Sequence, residues 1–259
     1  MNHTEKIITV GELYAALEAR MPRELSCEWD HDGLSVCPDQ NAPVTGVLIS
    51  LDPTEDAIAA AEEKGCNVIL THHPMLFHGV KAVNGCDGES RKVIRLIRAG
   101  ISTMAFHTRL DAVEGGVNDV LAARLGLTDA TPFGDGVGRV GNLPETVSPE
   151  AFVETVKAAL GVPAVFFANC GKPVRRVAVL GGGGGDFVGA AADVGADLYV
   201  TGDLGYHHLC DAPYGEISLI AAGHFYTEAP VLDRLADMVA EISPVVPVHL
   251  LNETRVKII

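Results

Sequence analysis

The sequence predicts an α/β fold: two related α/β halves with largely parallel sheets flanked by helices. Three observations carry this. Apolar runs of strand length alternate with stretches of helical spacing along the whole chain. Glycines close the helical stretches, at Gly65, Gly100, Gly126 and Gly195. Residues 47–71 also align without gaps on residues 177–201, each reading strand, helix, glycine, strand, threonine. Gly65 then matches Gly195 and Thr71 matches Thr201. Only six of the 25 aligned positions are identical, so the match rests on pattern more than on identity.

The elements follow in order. Residues 8–21 place Leu13, Ala16 and Leu17 at helical spacing and stop before Pro22. Residues 44–51 read as a buried strand. Asp52-Pro53-Thr54 opens a helix to Lys64, with Asp or Thr as its cap and Glu55 and Asp56 in its first turn. A strand at 67–71, a helix at 91–98, a strand at 101–106 and a helix at 118–125 come next. The pattern restarts with a helix at 149–160, a strand at 177–180, five glycines at 181–185 and a helix at 187–194. Strands at 197–201 and 217–221, a long helix at 227–242 and closing strands at 248–251 and 255–258 complete it. The expected division is a first α/β domain of residues 1–127 plus 222–259 and a second of residues 128–221.

At 259 residues the chain can bury a sizeable core. Its 47% hydrophobic content and mean hydropathy of +0.22 argue against disorder. A net charge of -15 disfavours a nucleic-acid partner, since phosphate binding rests on Lys and Arg. No apolar run is long enough to span a membrane, and residues 1–10 lack the basic and apolar regions of a secretory signal. None of the six cysteines forms a two-residue-spaced pair, so free thiols and a cytoplasmic location are expected, with Cys66 and Cys210 in the core.

Seven of the ten histidines fall in four segments, each close behind a predicted strand. Ligands of α/β sheets bind outside the carboxyl ends of the strands, so four polar clusters there can converge on one crevice. His72 and His73 follow Thr71. Pro74 biases His73 towards an extended backbone, which points the two rings apart and suits two neighbouring metals; the alternative is a pair of hydrogen-bonded loop histidines. Asp111 lies four residues after His107, as a ligand or as a turn or capping residue. His224 and Glu228 share one helix face, where they can meet one metal, bridge two, or face solvent. His207 and His208 suit substrate binding or proton transfer, or an ordinary surface. Imidazole with carboxylate and without thiolate suits two divalent transition-metal ions, zinc, iron, manganese or nickel. Glycines 181–185 lack the Gly-Lys-Ser/Thr of a phosphate loop and read as a tight turn packed against the site or as a backbone anion cradle.

In their order, five stretches resemble the signatures of the Nif-three-like dinuclear metal-centre proteins, also called GTP cyclohydrolase I type 2 homologues. They are Glu28-Trp29-Asp30-His31-Asp32-Gly33-Leu34, Thr71-His72-His73-Pro74, His107-Thr108-Arg109-Leu110-Asp111, Thr201-Gly202-Asp203 and Gly223-His224-Phe225-Tyr226-Thr227-Glu228. The resemblance covers nearly the whole chain. It implies a metal site in the crevice between the halves, with two metals held by His72, His73, Asp111, His224 and Glu228. It also implies a toroidal homohexamer. His31 and Arg109 stand where the family usually has Asn, and Asp203 where it has Glu. Arg109 either favours an anionic substrate or pairs with surface acids.

The function this implies is metal-dependent hydrolysis. A metal-bridging hydroxide would attack a small-molecule substrate, such as the nucleotide GTP, with His107, His207 or His208 orienting it or transferring protons. The alternative is a metal-binding, metal-chaperone or scaffold protein without turnover.

Overall fold

The computed structural model describes residues 8–258. Residues 1–7 and 259 lie outside the described residues, and the reading of 1–10 as lacking a secretory signal falls largely on them. In chain order the elements begin with α1 (Val10–Arg20), β1 (Gly33–Val36), β2 (Val47–Ser50), α2 (Glu55–Lys64), β3 (Val68–Thr71), α3 (Gly88–Ala99), β4 (Ser102–Ala105) and α4 (Thr108–Ala112). There follow α5 (Val117–Arg124), β5 (Thr128–Phe133), β6 (Gly138–Val147), α6 (Pro149–Leu160), β7 (Phe166–Ala168), β8 (Val174–Leu180), α7 (Val188–Asp193), β9 (Leu198–Thr201), α8 (Tyr206–Asp211) and β10 (Ser218–Ala221). The chain closes with α9 (His224–Glu228), α10 (Val231–Ile242) and β11 (Val248–Leu251). Two compact units result. One runs to Leu110 and takes back Leu232–Glu253; the other comprises Asp111–Val231 with the residues from Thr254.

The first unit is built on a five-stranded sheet of order β1-β4-β3-β2-β11. Strands β4, β3, β2 and β11 are parallel, and β1 adds antiparallel at one edge. Every residue of β2 and β3 is buried, as in sheets covered on both faces. Ala57, Ile58 and Ala61 of α2 and Val93 and Leu96 of α3 pack on Leu48 and Ile69. Of the two candidate caps for α2, Thr54 is the one used: its side chain accepts from the Ala57 N–H. Asp52 is left for another task.

The second unit carries a six-stranded sheet of order β5-β6-β8-β9-β10-β7. Its centre, β8-β9-β10, is parallel; β5, β6 and β7 add antiparallel around it. The α/β class holds, and this sheet is mixed rather than largely parallel. The β5-β6 hairpin carries no apolar run in β5, which is exposed until Phe133, so period and hydropathy did not mark it. Its signal is the turn Gly134-Asp135-Gly136, in which all three residues have positive φ. Alternate residues of β8 and β9 face two cores. Val177, Val179, Leu198 and Val200 meet Leu121 and Phe152, while Ala178, Leu180 and Tyr199 meet Ala191 and Leu219.

The aligned segments fold alike. Val47 pairs with Val68 and Val177 with Leu198, the same register in parallel ladders. Two expectations at the C-terminal end are corrected. The helix expected over 227–242 is broken into α9 and α10 at Ala229-Pro230, because proline has no N–H to donate and its ring clashes with the preceding turn. Residues 255–258 form no strand; they are largely exposed and lack a buried face to pair them. No helix among the described residues is long and apolar enough to cross a membrane.

Candidate metal centre

In the first unit, His72 and His73 sit directly beyond the last residue of β3, and His107 beyond β4. Nitrogen atoms of all three rings lie within 4.8 Å of one another, a group that could hold a metal ion. The rings of His72 and His73 do not point apart: their centroids are 4.8 Å from each other. The strand has ended at Thr71, whose hydroxyl donates to the His73 carbonyl at 2.6 Å, and this bend cancels the alternation of an extended chain.

Each ring is oriented through Nδ1. His72 Nδ1 donates to the Phe106 carbonyl at 3.1 Å and His73 Nδ1 to Asp52 Oδ1 at 2.8 Å. His107 Nδ1 donates to Asp30 Oδ1 at 3.1 Å. Carbonyls and carboxylates only accept, so these partners fix the proton on Nδ1 and leave the lone pair of the neutral ring on Nε2. That is the arrangement of histidines that ligate metals. Asp52 was read from the sequence only as a capping residue; its role could have been found by noting that β2 and β3 are neighbours and end level.

The Trp29–Leu34 segment braces this group. Buried Asp30 accepts from the Thr108 N–H at 3.0 Å and the Thr108 hydroxyl at 2.6 Å as well as from His107. Burial opposes ionisation of Asp30, but the hydrogen bonds from His107 and Thr108 outweigh it and hold the carboxyl well below its usual range. Asp32 accepts from the His107 N–H and from Arg109 Nε, both at 2.9 Å, and pairs with Arg23. Arg109 is fully buried, over the Phe106 ring at 4.5 Å, with further bonds to Glu18 and the Met21 carbonyl. Its charge is therefore shared between one buried acid, Asp32, and one partly exposed acid, Glu18, inside the unit. Of the two alternatives expected for it, pairing with acids of the chain describes its contacts, with Glu18 at the surface and Asp32 beneath it.

In the second unit, α9 presents His224 and Glu228 one turn apart, with His224 Nε2 3.1 Å from Glu228 Oε2. His224 Nδ1 donates to Asp203 Oδ2 at 2.7 Å. The neutral ring would thus aim its Nε2 lone pair at a carboxylate oxygen. Two acceptors at that distance need a second proton on the ring or a cation between them. Glycines 181–185 form the floor here. A Cβ at Gly182, where φ is +68°, would overlap Glu228 Oε1 and come within 3.1 Å of His224 Nε2. The amides of Gly181, Gly182 and Gly184 donate to Asn118 Oδ1, Thr227 Oγ1 and Thr201 Oγ1. Three of the five amides are thus consumed inside the fold, as in a packed turn. Buried Asn118, which also donates to the Val137 carbonyl at 2.8 Å, was not singled out from the sequence.

The remaining expected residues lie as follows. Asp111 is in α4, past the end of β4. His207 and His208 are on α8; His207 is exposed against Tyr206, and His208 lies beneath Gly185, where a Cβ would be 3.1 Å from its Cε1. Neither shares in the contacts among His224, Asp203 and Glu228. All six cysteines are free; Cys66 is buried and Cys210 only half-buried.

An α/β protein of two sheet-based units whose strand ends carry oriented imidazoles defines a class of candidate metal proteins. The comparisons give the family. Residues 8–255 match the model of Duf34/NIF3 (NGG1p interacting factor 3), and the chain belongs to that family. It is 34% identical over 240 residues to a Clostridium perfringens protein named GTP cyclohydrolase 1 type 2 homolog, covering 90% of this chain and 91% of that one. Among solved structures it resembles a Bacillus cereus protein related to NIF3, with a TM-score of 0.90 and 25% identity over 98% of this chain and 99% of that one. A Staphylococcus aureus hypothetical protein gives 0.89 and 26%, over 98% and 100%.

Proposed function

We propose that this chain is a metal-dependent hydrolase whose two divalent ions are held by His72, His73, Asp111, His224 and Glu228. The observation that supports it most is the His224–Glu228 contact, where a ring nitrogen and a carboxylate oxygen lie 3.1 Å apart with the other ring nitrogen committed to Asp203. Both groups would serve as ligands to one cation, an imidazole nitrogen and a carboxylate oxygen from one helix face. His72 and His73, each held through Nδ1, have the same form, and nitrogen with carboxylate and no thiolate fits zinc, iron, manganese or nickel.

Divalent ions in such a site supply Lewis acidity, polarising a substrate oxygen and lowering the pKa of water. The chain's own groups do the rest. Asp52 and Asp203 fix the ligand rings. His107, held by Asp30, is the first of the proton-transfer groups, with His207 and His208 as the others. The relatives' name suggests a nucleotide such as GTP as the substrate. A homohexamer and a cytoplasmic location belong to the same reading.

The test is elemental analysis of protein purified without chelators, together with a screen of nucleotides and phosphoesters against the metal-replete chain. About two metals per chain are expected, and hydrolysis that Glu228→Ala abolishes. Less than one metal per chain sinks the dinuclear centre. Hydrolysis unchanged in Glu228→Ala rejects the metal-dependent mechanism, and two metals with no turnover favours a carrier.

A further inference from the structure

Trp29 is the chain's single tryptophan, and it is 57% exposed, though burial of an indole is among the larger gains of folding. Phe77 beside it is 40% exposed. Trp29, Phe77 and His107 form a cluster in which each pair of ring centroids is 6.0 Å apart, with interplanar angles of 65°, 74° and 79°. The His107 ring is in turn 5.2 Å from His72 and 5.6 Å from His73. Exposed aromatic surface therefore begins where the histidine group ends.

The turn that carries Trp29 is pinned on both sides. The Cys27 N–H donates to Thr108 Oγ1 at 2.9 Å, and the Asp30 N–H to the Cys27 carbonyl at 3.0 Å. Arg23 Nη2 donates to the Asp30 carbonyl at 2.7 Å, and the Asp30 side chain is anchored under His107 and Thr108. An indole held in place and left in solvent is a preorganised contact surface. It is also small. Exposed Glu28 and His31 flank Trp29 in the chain, and exposed His78 lies 5.0 Å from the Phe77 ring. Two rings bordered by polar groups fall far short of the roughly 800 Å² per partner that a protein interface takes. They match the face of one planar ring.

We propose that Trp29 and Phe77 are the recognition subsite for a planar heteroaromatic ring of the substrate, a nucleobase or a ring of like size, stacked on the indole beside His107. This deepens the hydrolase reading and rests on it for the reacting centre. Stacking is tolerant of ring identity, because every base has a π-face. The subsite therefore selects aromatic substrates over aliphatic ones more than one base over another.

The single tryptophan makes the test direct. GMP, AMP and UMP are titrated against Trp29 fluorescence in the full chain incubated with zinc, with ribose 5-phosphate as the same sugar phosphate without a base. At least one nucleotide quenches saturably and ribose 5-phosphate does not. By calorimetry, Trp29→Ala and Phe77→Ala each weaken that nucleotide about tenfold, while Trp29→Phe stays within about threefold. Quenching by none of the three, equal affinity for ribose 5-phosphate, or unchanged affinity in Trp29→Ala overturns the proposal. Metal content measured on the same samples separates the two readings: ring binding without bound metal supports the subsite and sinks the metal centre.

Discussion

After β3 the chain places His72 and His73; after β9, at the aligned positions, it places Gly202 and Asp203. The two strand ends share a fold and a register but exchange roles. In the first unit the residue beyond the second strand is a proposed ligand, His73, and the residue beyond the first strand, Asp52, orients it. In the second unit the counterpart of His73 is the orienting group, Asp203, while the counterpart of Asp52 is Gly182. That glycine clears space for Glu228, and the proposed ligands come from α9 instead. Gly202 is needed for the same reason, since a Cβ there would lie 2.8 Å from His224 Cα. A βαβ frame thus fixes where polar groups emerge, and the local choice of glycine or side chain decides which of them face a metal and which hold the facing group in place.

The largest test of this difference concerns the bracing found in the first unit. Asp32→Ala leaves the buried Arg109 guanidinium without its closest acid and should cost about 3–5 kcal/mol in urea unfolding. A loss under about 1 kcal/mol would mean that Arg109 is not held as a buried counter-ion. Gly182→Ala comes next. It forces a side chain into positive φ and displaces Glu228, so a loss of about 1–3 kcal/mol is expected. Metal content should fall with it. Asp52→Ala, at the aligned position, should keep its stability within about 1 kcal/mol, because the carboxylate is half exposed. Equal losses at the two positions would break the proposed exchange of roles.

Asp52→Asn and Asp203→Asn sharpen it. Each keeps the shape but weakens the acceptor for a histidine Nδ1–H, so each should lower metal affinity by about 10–100-fold with little change in unfolding. A chelator competition measures it. If Asp203→Asn binds metal as wild type does, the short Asp in place of Glu is not an orienting group.

Much of this was legible in the sequence. The parallel strands announced themselves as apolar runs, the glycine ends as helix stops, and the polar clusters by their position behind strands. What pattern could not supply was pairing across the chain. Asp52 and Asp30 are ordinary acids until β2 lies beside β3, and the Trp29 turn beside His107. Arg109 looked like a cation awaiting a partner because its acids, Glu18 and Asp32, lie far from it in sequence. The edge strands β1, β5 and β7 are short or exposed, and they pair through backbone rather than through a hydrophobic face. Pro230 was visible, yet the apolar spacing on either side of it concealed the break.

The smallest expected effect tests the first unit's strand end by acid. Asp30 beneath His107 has its pKa depressed in the folded chain by the His107 and Thr108 hydrogen bonds, which outweigh the opposing effect of burial. A depressed carboxyl contributes stability that is fully present above its unfolded pKa of about 3.9 and is lost as pH falls through that value towards the folded one. Other acids titrate in the same window, so the comparison is of slopes. Between pH 7 and pH 3, wild type should lose about 1 kcal/mol more than Asp30→Asn, whatever the variant's stability at neutral pH. Urea unfolding at the two pH values measures it. Parallel slopes for Asp30→Asn and wild type would show that the His107 brace does not depend on a charged Asp30.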